Sequence, residues 1–91
     1  MKWVFAILLL GAAVEDPLEK AREAFVKGEY DKAIFLAEKH RESAPEPAWR
    51  LIGACHCFRK DAARARDAYV KLDESGKKFL RYVCWRNRIT L

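Results

Sequence analysis

The chain has 91 residues and a formal net charge of +5, and 52% of its residues are hydrophobic. This length allows one small domain at most. The charge is uneven: residues 15–47 hold six basic and nine acidic side chains, whereas residues 48–91 hold eleven basic and four acidic ones. We interpret the basic part mainly as a solvated helix face. An acidic partner, a nucleic acid or an anionic membrane is the alternative.

Residues 1–13 are predicted to be a signal peptide. Lys2 precedes an apolar run over residues 3–10, and Gly11-Ala12-Ala13 provides small residues for cleavage. The run is shorter than the roughly 20 residues that cross a bilayer, so no stable membrane span is expected. We therefore predict an exported protein, periplasmic or secreted, with its domain at residues 14–91. A short membrane anchor and a first element of the fold are the alternatives.

The first hairpin is predicted to begin after Asp16, which can cap a helix whose first position is Pro17. Glu19 can complete a capping box. This helix is expected to end near Lys27, because Gly28 tolerates the left-handed backbone of a helix end.

The second helix is predicted from about Tyr30 to Ser43, before two prolines that end it. The third helix is predicted from about Pro47 to Arg59.

After a tight turn, Asp61 is the predicted cap of a fourth helix that continues to about Asp73. Ser75-Gly76 interrupts the pattern, and Ser75 is the predicted cap of a fifth helix over about 77–87. The expected fold class is therefore all-α.

Two segments share one pattern, an apolar helix followed by a turn and an alanine-rich helix. The first copy contains Gly28, Tyr30, Ala33 and Pro45; the second contains Trp49, Ile52, Gly53, Ala65 and Tyr69. These segments resemble tetratricopeptide (TPR) repeats, although His56 stands where Tyr is usual and the first copy lacks the Trp. The resemblance covers residues 17–73. It implies two antiparallel helical hairpins of an α-solenoid, closed by a capping helix from about residue 76.

The end of the chain is also similar to repeat modules at the C-terminal ends of bacterial serine/threonine kinases. There, a closing helix carries a cysteine before a short apolar tail, as Cys84 precedes residues 89–91 here. The sequence has no kinase motif, so this similarity implies no activity.

The TPR resemblance implies a protein-interaction scaffold or assembly factor that binds a peptide segment of a partner. Its groove would be lined by Arg50, Ala54 and Phe58, with Arg50 gripping a carboxylate and Phe58 supplying apolar area. Self-association, as in a homodimer, is the alternative because short arrays leave an open apolar end.

No catalytic motif or cofactor fingerprint is present, so we expect neither an enzyme nor a bound cofactor. His56 is expected to be a hydrogen-bonded side chain facing the fourth helix, and His40 to be solvated. A small periplasmic metal-binding protein that uses Cys55, His56 and Cys57 is a further alternative, although zinc sites usually space paired cysteines more widely.

Cys55 and Cys57 lie two residues apart on one helix, so their side chains point to nearly opposite sides. Either can meet Cys84 if the fifth helix packs on the third, as the closing helix of a repeat array does. We favour a Cys57–Cys84 disulfide over Cys55–Cys84 and expect the remaining thiol to be buried.

The fifth helix mixes aromatic residues with Lys and Arg, a composition that can bind single-stranded nucleic acid. Phe79, Tyr82 and Val83 recur at helical spacing, however, and are predicted to form its buried stripe. Nucleic acid is therefore not an expected partner.

Overall fold

The computed structural model describes residues 16–91, which form five helices and no strand. The helices are α1 (Glu19–Val26), α2 (Tyr30–Glu38), α3 (Pro45–Phe58), α4 (Ala62–Tyr69) and α5 (Glu74–Arg86). The predicted all-α class and the order of five helices are confirmed. The predicted signal peptide lies outside the described residues. Within residues 16–91, no helix is both long enough and apolar enough to span a bilayer.

Aspartates cap two helices, α4 and α5, and a third aspartate lies just before α1, whose N-cap residue is Leu18 rather than the predicted Asp16. The Asp61 carboxylate accepts a hydrogen bond from the backbone N–H of Arg64 at 3.1 Å, which confirms it as the cap of α4. Asp16 accepts from the N–H of Leu18 at 2.9 Å, although α1 itself begins only at Glu19. Asp73, not the predicted Ser75, caps α5 by accepting from the N–H of Gly76 at 2.8 Å.

Three other helix limits differ from their predictions. Helix α2 ends at Glu38 rather than Ser43, and α4 ends at Tyr69 rather than near residue 73. Helix α3 begins at Pro45 instead of Pro47. Both prolines fit its first turn, because backbone N–H groups have no intrahelical partner there.

Helices α1, α3 and α5 end in the same geometry. Each is followed by a residue with positive φ: Gly28 at 82°, Lys60 at 64° and Arg88 at 66°. The next N–H in each case bonds a carbonyl five residues earlier, Glu29 to Ala24, Asp61 to His56 and Ile89 to Cys84. This is the Schellman form of helix termination, and it recurs after every odd-numbered helix.

Helix α3 is the centre of the fold, because it contacts all four other helices. Its Ala48 and Ile52 pack with Leu18, Ala21 and Ala37, whereas its Cys57 packs on the side of α4 and α5. Small residues allow these helices to approach closely. A Cβ atom on Gly53 would lie only 2.7 Å from Cδ2 of Leu80 and 3.2 Å from Cβ of Ala68.

Candidate peptide-binding groove

A groove of about 830 Å³ runs across the three odd-numbered helices. Helix α1 contributes Arg22, Phe25 and Val26. The central helix α3 contributes Glu46, Pro47, Arg50, Leu51, Ala54 and Phe58, and α5 with the residue after it contributes Phe79, Tyr82, Val83, Arg86 and Asn87. The lining is mainly apolar and aromatic, with three arginines and one glutamate.

The three residues that the sequence predicted for a groove line this one together. Ala54 is almost fully buried and forms part of the floor, whereas the Phe58 side chain is 40% exposed. Arg50 lies one helical turn before Ala54, toward the start of α3. Their spacing of four residues places all three on one helix face, which explains why the sequence pattern found them.

The contribution of α5 was missed. The prediction that Phe79 and Tyr82 are buried is wrong, because they are 40% and 56% exposed. The buried row of α5 is Gly76, Leu80 and Cys84, with Val83 half-buried beside it. This row has a spacing of four residues and ends at Cys84, which meets α3. The expected pairing of Cys84 with a cysteine of α3 was therefore the signal that could have predicted which side of α5 is buried.

An aromatic cluster closes one end of the groove. The Phe58 ring stacks on Tyr30 with centroids 5.3 Å apart, and it meets Phe25 edge-on at 5.4 Å. Phe25 and Tyr30 also contact each other at 5.7 Å. Because three rings hold one another, the exposed edge of Phe58 is presented in a fixed position.

Arg50 is held at the junction of α3 and α5. Its Nε lies 3.4 Å from a Glu46 carboxylate oxygen, and its Nη2 lies 3.2 Å from Oγ of Ser75 and 3.9 Å from Asp73. The hydrogen bond from the Gly76 N–H, with help from Glu46 and Arg50, lowers the pKa of Asp73. The Arg50 charge is therefore shared with neighbouring carboxylates, and a peptide carboxylate would compete with them.

Arg86 is the groove arginine that is not paired with a carboxylate among the described residues. It donates a hydrogen bond to the Tyr82 hydroxyl at 2.9 Å, and within residues 16–91 it forms no ion pair. Arg22, on the opposite wall, pairs with Asp16. The groove thus has a positive edge on α5 that the predicted trio did not include.

The cysteines lie on two sides of α3, as their spacing predicted. The structure places the sulfurs of Cys57 and Cys84 at disulfide distance, with Cα atoms 4.8 Å apart. Cys55 is buried among Ala24, Ala33 and Ile34 as a free thiol. Burial raises the pKa of this thiol to about 12, and the weaker influence of nearby Arg59 opposes that rise. The runner-up pairing of Cys55 with Cys84 is therefore not the one formed.

His56 is buried, and desolvation lowers its pKa. Among residues 16–91 its Nδ1 has no hydrogen-bond partner, so the expected hydrogen bond is missing at that atom. His40, predicted to be solvated, is half-buried. The same residues bring together no three His, Cys, Asp or Glu side chains in an arrangement suited to a metal ion.

Searches with the whole chain against family models, curated proteins and solved structures found no match.

Proposed function

We propose that this chain is an exported two-repeat TPR-like module that binds a peptide segment of a partner protein in the groove and performs no catalysis. One observation supports the proposal above the others. Alternate helices α1, α3 and α5 line one continuous groove and end in the same backbone geometry. Stacked repeats that present equivalent helices to one surface produce such grooves, and they serve as extended binding surfaces.

The groove chemistry favours a peptide with one apolar side. Phe58 and Phe79 offer exposed ring surface on α3 and α5, and apolar anchors seated between such rings dominate the affinity of many interfaces. The arginines at the edges can set the orientation of a bound segment through carboxylates. The groove is long enough to involve three helices, which suits an extended segment or a short helix.

A random library of displayed 12-residue peptides tests the proposal directly. We expect enrichment of peptides that carry Leu, Phe or Trp together with Asp or Glu. The best peptide should bind Phe79→Ala and Phe58→Ala at least tenfold more weakly than wild type, measured by fluorescence polarisation. Phe35→Ala is the matched control, because this ring is 63% exposed on α2 outside the groove.

Equal affinity of the enriched peptide for all three variants would overturn the groove assignment. The alternative of a self-associating subunit has its own measurement, sedimentation equilibrium over a hundredfold concentration range. A dimer weakened by Phe79→Ala, together with a library that yields no groove-dependent peptide, would favour it.

The proposed location is tested by the intact mass of the chain recovered from its native host. A chain that begins at Val14, with two cysteines protected until reduction, agrees with export and with the disulfide. A chain that retains residues 1–13 and reacts at three thiols contradicts both.

A further inference from the structure

One solvent-exposed side of α5 has an unusual composition. Lys78, Arg81, Tyr82 and Trp85 follow the i, i+3, i+4, i+7 spacing of one helix face, and all four are exposed. Arg88 follows in the turn after the helix and is exposed as well. We call these five residues the α5 outer face.

Two large aromatic rings are presented to solvent on this face. Trp85 is 67% exposed and Tyr82 is 56% exposed, and their ring centroids lie 6.4 Å apart. No other tryptophan of the described residues is so accessible, because the half-buried Trp49 lies against Arg41 and Lys71. A solvated helix face ordinarily carries mixed charges and few such rings.

The three charged side chains of the α5 outer face are all basic, although the exposed Glu74 lies one helical turn before Lys78. Residues 77–91 contain Lys77, Lys78, Arg81, Arg86 and Arg88 and no acidic residue. Arg81 is held over the Tyr69 ring at 5.8 Å and donates to its hydroxyl, so its positive charge is fixed at the edge of the face. This charge favours an anionic partner.

We propose that the α5 outer face docks on the surface of an anionic lipid bilayer, with α5 lying parallel to the membrane. Indole and phenol rings concentrate at the boundary between headgroups and acyl chains, while Lys and Arg attract anionic headgroups. A face that combines these two classes of side chain matches both layers of that boundary. Lys and Arg can also extend their charges toward the headgroups while their apolar stems stay against the rings.

The α5 outer face is distinct from the groove. Lys78, Arg81, Trp85 and Arg88 are exposed and do not line the groove. Of the five, only Tyr82 belongs to both surfaces. The docking surface and the groove are therefore separable by mutation, and the membrane proposal does not depend on the proposed peptide binding.

The test uses the full chain with vesicles of phosphatidylglycerol and phosphatidylethanolamine, and with vesicles of phosphatidylcholine alone. We expect sedimentation with the anionic vesicles to be at least tenfold stronger and to weaken as salt rises. The triple variant Lys78→Gln/Arg81→Gln/Arg88→Gln should lose most of this preference. Its matched control is Lys20→Gln/Lys27→Gln/Lys32→Gln, which removes the same charge from exposed positions of α1, α2 and the turn between them and should stay within twofold of wild type.

The aromatic component is tested separately. Anionic vesicles should shift tryptophan emission to shorter wavelength in the wild type and in Phe35→Ala, and Trp85→Ala should lose most of that shift. Equal loss of binding in the two triple variants would overturn the proposal, because net charge alone would then explain it. Binding of a 30-nucleotide single strand through the same five residues, with no binding to the anionic vesicles, would also overturn it in favour of a nucleic-acid surface.

Discussion

The two sides of α3 are held together by different means. On one side, α1 and α2 meet α3 through small apolar residues, chiefly Ala21, Ala24, Ala33, Ala37 and Ala48, each at most 3% exposed. Among residues 16–91, one ion pair, Arg59 with Asp31 at 3.3 Å, joins the turn after α3 to α2. The stability of this side therefore depends mainly on close packing, which small residues allow.

On the other side, α4 and α5 are joined to α3 and to the end of the chain by a covalent bond and by polar contacts. Besides the Cys57–Cys84 pair, Lys60 Nζ donates to the Asn87 carbonyl at 2.8 Å and Arg66 donates to the Thr90 carbonyl at 3.1 Å. Glu46 accepts from the backbone N–H of Asp73 at 2.9 Å. Among the described helices, α5 contacts only α3 and α4. The disulfide and these hydrogen bonds therefore add stability to a helix that has few neighbours.

The largest loss of stability is expected from truncating a core side chain on the side of α3 that contacts α4 and α5. Leu80 is completely buried against Gly53 and Ala68, and Leu80→Ala should reduce the free energy of unfolding by about 4 kcal/mol. Leu18→Ala is the matched control, because Leu18 is equally buried but lies before α1 at the edge of the fold, where the chain can collapse into the space. Urea denaturation should show a loss of about 2 kcal/mol there. Equal losses would show that the two sides do not differ.

Reduction of the disulfide is the next largest effect. The bond closes a loop with a sequence separation of 27 residues, which corresponds to about 3.5 kcal/mol of stability in the chain-entropy model. Urea denaturation with and without a reductant should show this difference in the wild type and in Cys55→Ala. The double variant Cys57→Ala/Cys84→Ala should be insensitive to reductant.

A reductant effect that persists in the double variant would contradict the Cys57–Cys84 pairing.

The free thiol of Cys55 tests the close packing on the other side of α3, where it is buried against α1 and α2. Because burial raises the pKa of Cys55 to about 12, iodoacetamide should alkylate it slowly at pH 8 until denaturant exposes it.

Much of this arrangement followed from the sequence, and the failures have identifiable causes. The positions of Gly28 and Asp61 depend on local chemistry, so local patterns located that turn and that cap. The Cys57–Cys84 pairing was expected instead from the way a closing helix packs in a repeat array. The orientation of α5 depends on which residues meet α3 across about 30 residues of chain. Periodicity alone placed Phe79 in the core, because a ring on a groove wall and a ring in a core have the same spacing.

Lowering the pH should reduce the free energy of unfolding because of His56. Desolvation lowers its pKa in the folded chain, whereas the unfolded chain binds a proton near the ordinary value of about 6.5. The unfolded state thus binds more protons, so the contribution of His56 is present above about pH 6.5 and is lost as the pH falls. His56→Gln should flatten the decline in unfolding free energy between pH 7 and pH 5. An unchanged slope in His56→Gln would exclude this cause.

The smallest effect compares the two equivalent turns after α1 and α3, where Gly28 and Lys60 both adopt positive φ. In the described part of the chain, a Cβ atom on Gly28 would meet nothing within 4 Å, so Gly28→Ala should reduce stability by about 1 kcal/mol through backbone strain alone. Lys60→Gly relieves the corresponding strain but loses the bond to the Asn87 carbonyl. Lys60→Ala loses that bond and keeps the strain, so thermal denaturation should find Lys60→Gly more stable than Lys60→Ala by about 1 kcal/mol. If the two Lys60 variants were equally stable while Gly28→Ala was weakened, the turns would differ energetically despite their shared hydrogen bonds.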